Sequence, residues 1–212
     1  MTSGPETPAG LVPAWLRELA AAAETMETFP QLVPPATGGR ASAVLILFGD
    51  GPGGPDLLLI QRSEELRLHA GQPAFPGGAI DAGDGGPVGA ALREAVEEVG
   101  LDPSGVDVVG TWPEVYIPRT GFRVVPVLAW WRRPSAVAPV DAGEVAAVER
   151  VSVAELADPA ARLMVRVPDG RTSPAFRVRG MLIWGFTAVL VDRLLALAGW
   201  EKPWDVTMVM DL

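Results

Sequence analysis

Three glutamates crowd into five positions, Glu94, Glu97 and Glu98, within the run Leu92-Arg93-Glu94-Ala95-Val96-Glu97-Glu98-Val99-Gly100-Leu101. At about 100° per residue of helix, Leu92, Ala95, Val96 and Val99 share one stripe, and the glutamates lie opposite with Arg93 at their flank. Glu94 and Glu98 stand one turn apart and repel, at about 0.2–0.5 kcal/mol on an exposed helix, and Arg93 offsets part of this through Glu97 at i+4. A divalent cation offsets far more. Hard cations such as Mg2+ take oxygen ligands, and two carboxylates one turn apart reach one ion. A solvated acidic face is the plain alternative, and the helix by itself leaves both readings open.

The residues before the helix favour the metal. Phe75-Pro76-Gly77-Gly78 ends a loop, and Asp81 and Asp84 lie between it and the helix. Glycines at 77 and 78 let the backbone approach a ligand closely. With Gly78, Asp84 and Arg93 to Leu101 in this order, the segment resembles the Nudix hydrolase box. The right half matches at every defined position. The left half departs twice, because Asp84 stands where the general box has Glu and one extra residue separates it from Arg93, which leaves Asp84 without an assigned role.

Upstream, Leu57 to Gly78 resembles the signature of the coenzyme A pyrophosphatase branch of that family. Arg62-Ser63, Leu66-Arg67, His69, Gly71-Gln72 and Phe75 fall in register, and this branch also has Asp at the spaced acidic position and the longer spacing. The likeness continues in Thr120-Gly121-Phe122, Val125-Pro126-Val127 and Ile183 to Ala188, and so covers residues 40–200. It implies an α+β fold, the Nudix α/β/α sandwich with a mixed central sheet, and metal-dependent cleavage of coenzyme A to 3′,5′-ADP and 4′-phosphopantetheine. It further implies Mg2+ or Mn2+ held by Glu94 and Glu98, with Glu97 as a further or water-bridged ligand and the Gly78 carbonyl as a backbone ligand. Such an ion neutralises charge on the pyrophosphate and lowers the pKa of an attacking water. Glu144, in Gly143-Glu144-Val145, is the positional match for a general base from a loop beyond the box, and Arg93 orients Glu97. Arg62 and Arg67 are the candidates for substrate phosphates, since guanidinium groups give bidentate contacts; Arg40 is a weaker one. Gln72 and Phe75 are either substrate contacts or loop packing, and His69 is read as a hydrogen-bonding turn residue rather than a base. Two alternatives stay open: another nucleoside diphosphate derivative such as ADP-ribose, or a non-catalytic nucleotide-binding module. The retention of three repelling acids argues against the second.

The elements that must position these residues follow from pattern. Pro13 opens a helix over Ala14 to Met26, and Pro30, Pro34, Pro35 and Gly38-Gly39 make a linker. Strands are expected at Ser42 to Phe48 and Leu57 to Gln61 around the turn Gly49 to Pro55, then at Val106 to Trp112, Phe122 to Trp131 and Val145 to Val153. The box helix runs from Pro87 to Val99, and a second helix from Ile183 to Ala198, closed by Gly199. Three parts are expected: an N-terminal tail, helix and linker over 1–39, a catalytic domain over 40–200, and a C-terminal tail over 201–212. Whether Ile183 to Ala198 packs on the sheet or builds a homodimer interface is left open.

Composition bounds the rest. In 212 residues, a hydrophobic share of 49% supports a core, and the absence of cysteine excludes disulfides and thiolate chemistry. One histidine excludes multi-histidine metal sites. A net charge of -9 repels nucleic acid but tolerates a small anion in a cleft where a metal and a few arginines invert the field. No P-loop is present. With no signal-peptide pattern at the N-terminus and no apolar run of membrane-spanning length, a soluble cytoplasmic protein without a membrane partner is expected.

Overall fold

Side chains alternate between the two faces of a strand, so a strand buried on both sides is apolar at nearly every position. Ala43 to Phe48 meets that condition, and it lies at the centre of the sheet. A computed structural model describes residues 11–22, 38–66 and 69–212. In it β1 (Arg40–Gly51) turns through Pro52-Gly53 into antiparallel β2 (Gly54–Arg62). Short strands β3 (Pro73–Ala74) and β4 (Gly77–Ala79) pair with the end of β2 and the start of β1. After helix α2 (Pro87–Val99) come β5 (Val106–Thr111), β6 (Val115–Ile117) and β7 (Phe122–Trp131). β7 lies parallel to β1, from Arg40 opposite Phe122 to Phe48 opposite Trp130, while β8 (Val145–Ser152) lies antiparallel to β2. The result is a mixed eight-stranded sheet.

Alternation then sorts two cores. Ala43, Leu45 and Leu47 of β1 face α2, whose Ala90, Ala91 and Ala95 are fully buried against them. Ile46 and Phe48 face the other way, toward α1 (Ala14–Ala22) and α4 (Gly185–Leu197). Helices therefore cover both faces of the mixed sheet, the expected α/β/α sandwich. The last turn expected for α1, up to Met26, and the proline linker lie outside the described residues.

Beyond β8, a short helix α3 (Val153–Leu156) leads to a second sheet that the sequence pattern did not suggest. Its strands are β9 (Arg162–Arg166), β10 (Thr172–Val178), β11 (Met181–Ile183) and β12 (Val209–Asp211), in the order β11-β10-β9-β12. Ile183, expected to open the last helix, closes β11 instead, and the helix begins after Trp184. Residues 201–212, expected as a tail, contribute β12, which pairs parallel with β9. They are also tied in by Arg162, which is 2% exposed and ion-paired to Asp192 and to Glu201. Its guanidinium stacks on Phe176 and Trp204 at 5.2 and 4.3 Å. At the other end of the chain, Trp15 of α1 packs edge-on against Phe48 and Trp200, at 5.1 and 4.8 Å. Neither end of the described chain is an appendage to the sheet core. Among the described residues no helix is long and apolar enough to cross a membrane.

Candidate active site

Helix α2 starts with Pro87 in its first turn and stops at Gly100. There the backbone turns left-handed (φ 67°), and the Gly100 and Leu101 N–H groups close on the Val96 and Ala95 carbonyls at 3.0 and 3.3 Å. Three alanines on its inner face let the helix lie close to the sheet. Ala91, Ala95 and Glu98 follow one another at i, i+4 and i+7, so the same rotation that buries the alanines carries Glu98 inward. Glu98 is 6% exposed, whereas Val96, placed by pattern on the apolar stripe, is 40% exposed. The expected partition of α2, with all three glutamates opposite the core, is corrected in this respect.

A buried carboxylate needs partners. Glu98 Oε2 accepts the Gly77 N–H at 3.0 Å, and Arg62 Nη1 lies 3.9 Å from Oε1. Gly77 is there because a side chain at that position would collide with the Ala43 carbonyl of β1. Burial pushes the Glu98 pKa from the usual 4.5 up to about 7; the Gly77 N–H and Arg62 pull it down, and the charges of Glu94 and Glu144 add to the rise. Glu94, half-buried, lies directly over Gly78, where a Cβ would collide with its carboxylate. Its pKa is also raised by burial, against the pull of Arg93.

Arg93 faces a ring of oxygens. Its Nε and Nη2 donate to the two oxygens of Asp84 at 2.8 and 3.2 Å, its Nη1 to Glu97 at 2.9 Å, and its Nη2 to the Ala79 carbonyl at 3.0 Å. Nη1 also lies 3.0 Å from Glu94 Oε1. The Asp84 hydrogen bonds raise the Arg93 pKa, and those same bonds hold Asp84 below the usual carboxylate range. Asp84 thus has a role after all: it anchors Arg93 beside Glu94 and Glu97, and its Oδ2 takes the Asp81 N–H at 2.7 Å. The Asp in the box and its charge complement to Arg93 were the available signal. The chain enters α2 from Asp84 through Gly85 and Gly86, both at positive φ (69° and 122°), which gives the longer spacing a conformation open to glycine.

The structure sorts the remaining candidates. Glu144 is exposed in the turn just before β8, and its charge is felt at Glu98. Glu97 is exposed and engaged with Arg93. Gln72 Oε1 lies 2.8 Å from His69 Nδ1, and His69 has a left-handed backbone (φ 57°), consistent with a turn residue. Phe75 is 3% exposed and packs in the core on the α1 and α4 side of the sheet. Arg62 Nε is buried with no hydrogen-bond partner, whereas Arg40 stacks on Phe122 at 5.8 Å. Arg67 lies outside the described residues.

The donors here are carboxylate and backbone oxygens, without nitrogen or sulfur, which suits a hard divalent cation. Glu98 fits such an ion because its carboxylate is desolvated and its cationic neighbour stands 3.9 Å away. Among the described residues no three acidic or histidine side chains already converge on one point. Glu94, Glu97, Glu98 and backbone oxygens such as the Gly78 carbonyl remain the candidate donors.

Residues 39–174 match the model of the NUDIX domain. A protein of Cronobacter sakazakii, named an uncharacterized Nudix hydrolase NudL, is 40% identical over 187 residues, which are 82% of this chain and 90% of that protein. Its Escherichia coli namesake is 50% identical over 99 residues, 47% of this chain and 50% of that one. Among solved structures, the Nudix hydrolase RenU of M. smegmatis superimposes with a TM-score of 0.55 at 24% identity, covering 80% of this chain and 91% of that chain. That likeness concerns the fold.

Proposed function

Because this chain belongs to the Nudix family and is a Nudix hydrolase, we propose that it cleaves the pyrophosphate of coenzyme A, or of a coenzyme A derivative, to 3′,5′-ADP and 4′-phosphopantetheine. The observation that supports the reading is the meeting of two motifs at one carboxylate. Glu98 of the box is held by Gly77 and faced by Arg62, which opens the loop resembling the coenzyme A branch.

Glu94, Glu98 and the Gly78 carbonyl would hold Mg2+ or Mn2+, with Glu97 as a further or water-bridged ligand. When bound, such an ion neutralises charge on the pyrophosphate and lowers the pKa of an attacking water. The residues around it do the rest. Arg93 is saturated by Asp84, Glu97, Glu94 and Ala79, so it orients carboxylates rather than touching substrate. Arg62 faces Glu98 with Nη1, and its side chain is 30% exposed, so it is proposed to turn the accessible part of its guanidinium to a substrate phosphate. Arg67 is the second phosphate candidate by sequence. Glu144, exposed and with its charge felt at Glu98, is proposed as the general base that takes the water proton.

Incubation of the purified protein with coenzyme A and Mg2+ or Mn2+ should release 3′,5′-ADP, identified by mass spectrometry. ADP-ribose and a dinucleoside polyphosphate run beside it. If coenzyme A survives while one of these is cut, the substrate assignment is wrong and the hydrolase assignment stands.

A further inference from the structure

Ser63, the residue after β2, is 5% exposed. Its polar groups reach three stretches of chain. Its N–H donates to the Glu144 carbonyl at 2.9 Å, and its own carbonyl accepts the N–H groups of Leu66 at 3.4 Å and Gly71 at 3.3 Å. Its Oγ accepts the Glu65 N–H at 3.2 Å. Beside it, the Arg62 N–H donates to the Gln72 carbonyl at 3.1 Å.

The β2–β8 ladder arrives here through a register shift. Gln61 pairs with Ala147 but Arg62 with Val145, so Ala146 is passed over. Such a bulge bends its strand and re-aims the next side chains. Val145 is buried, and Glu144, one residue earlier, is exposed. Beyond the bulge the Glu144 and Val145 N–H groups close on the Asp141 carbonyl at 3.0 and 2.9 Å, within their own loop. The Ser63 N–H ties the Glu144 carbonyl to the end of β2, so the placement of Glu144 relative to β2 depends on how firmly that N–H is aimed. The hydroxyl supplies the firmness by closing the turn Ser63–Leu66 from within.

We propose that Ser63 is a positioning residue, joining the turn after β2, the return at Gly71 and the Glu144 loop in one frame, so that Glu144 keeps its place relative to Glu98. The proposal rests on Glu144 acting as general base, and its test separates the two. In the metal-loaded full-length enzyme, Ser63→Ala should lower kcat about tenfold, the factor equivalent to about 1.4 kcal/mol, with KM changed less than threefold. Hydrogen exchange should quicken over residues 141–146 as well as over 63–71. In a Glu144→Gln background the same change should cost less than twofold, because the residue being positioned has lost its function. Unchanged exchange over 141–146, or losses that simply multiply in the double variant, overturn the proposal. Full activity of Glu144→Gln alone instead removes the base assignment, and exchange over 141–146 then decides Ser63. Ser63→Cys, close in size but with a weak sulfur acceptor, carries the same expectations if Ser63→Ala does not fold.

Discussion

Replacing Glu98 by glutamine isolates what it costs to keep a carboxylate beneath the active-site loop. Its side chain is 7% exposed, so solvent screens it little, and burial raises its pKa from 4.5 to about 7. The folded value lies above the unfolded one. The stability linked to Glu98 is therefore complete below pH 4.5 and is lost as pH rises through about 7. At 1.36 kcal/mol per unit, the loss amounts to about 3 kcal/mol, an order-of-magnitude figure. Glutamine keeps an acceptor for the Gly77 N–H and carries no charge to desolvate. In chelator-treated protein, Glu98→Gln should thus melt with the unaltered chain near pH 4.5. It should melt higher by about 6–12 °C at pH 8.5, given about 2–4 °C per kcal/mol for a chain of this size. Thermal melts from pH 4.5 to 9 in EDTA provide the assay. A gap independent of pH, or a native chain that gains on the variant as pH rises, would refute the reasoning. The same variant should lose pyrophosphatase turnover, so stability and activity move in opposite directions.

Three further changes separate site from scaffold. Gly78→Ala places a Cβ against the Glu94 carboxylate, a flexible end that can swing away. It should cost kcat about tenfold or more while leaving the melting temperature nearly intact, as read from paired kinetics and calorimetry, and an active variant would remove Glu94 from the metal set. Phe75→Ala empties a core position and should destabilise the chain by about 3–5 kcal/mol in urea titration. Unchanged stability with a raised KM would return Phe75 to the substrate contacts. A chain ending at Trp200 loses Glu201, Trp204 and β12, leaving the buried Arg162 with Asp192 as its remaining ion-pair partner and Phe176 as its remaining ring. It should unfold at least about 3 kcal/mol more easily, because half of a buried charge network is gone.

Sequence alone determined the elements whose signals are local. Pro87 and Gly100 bound α2 at the residues expected, since a proline in the first turn and a left-handed glycine act through their own backbones. The apolar runs of β1, β2 and β7, the spacing of Glu94 and Glu98, and the loop motif from Arg62 to Gly78 were legible for the same reason. Tertiary structure decided what depends on close approach. Period 3.6 distributes the residues of α2 around its axis, but which side meets the sheet was set by Ala90, Ala91 and Ala95, whose small size admits β1 and takes Glu98 in while leaving Val96 out. Asp84 acquired its role only when the loop folded back over Arg93, and Phe75 its role only when β3 placed it over the opposite core. The second sheet was hidden because its strands are short and interrupted by Arg162, Arg166, Pro174 and Arg177. Its keystone, Arg162, is a charge buried by partners 30 and 39 residues away, and no local pattern encodes a pairing at that distance.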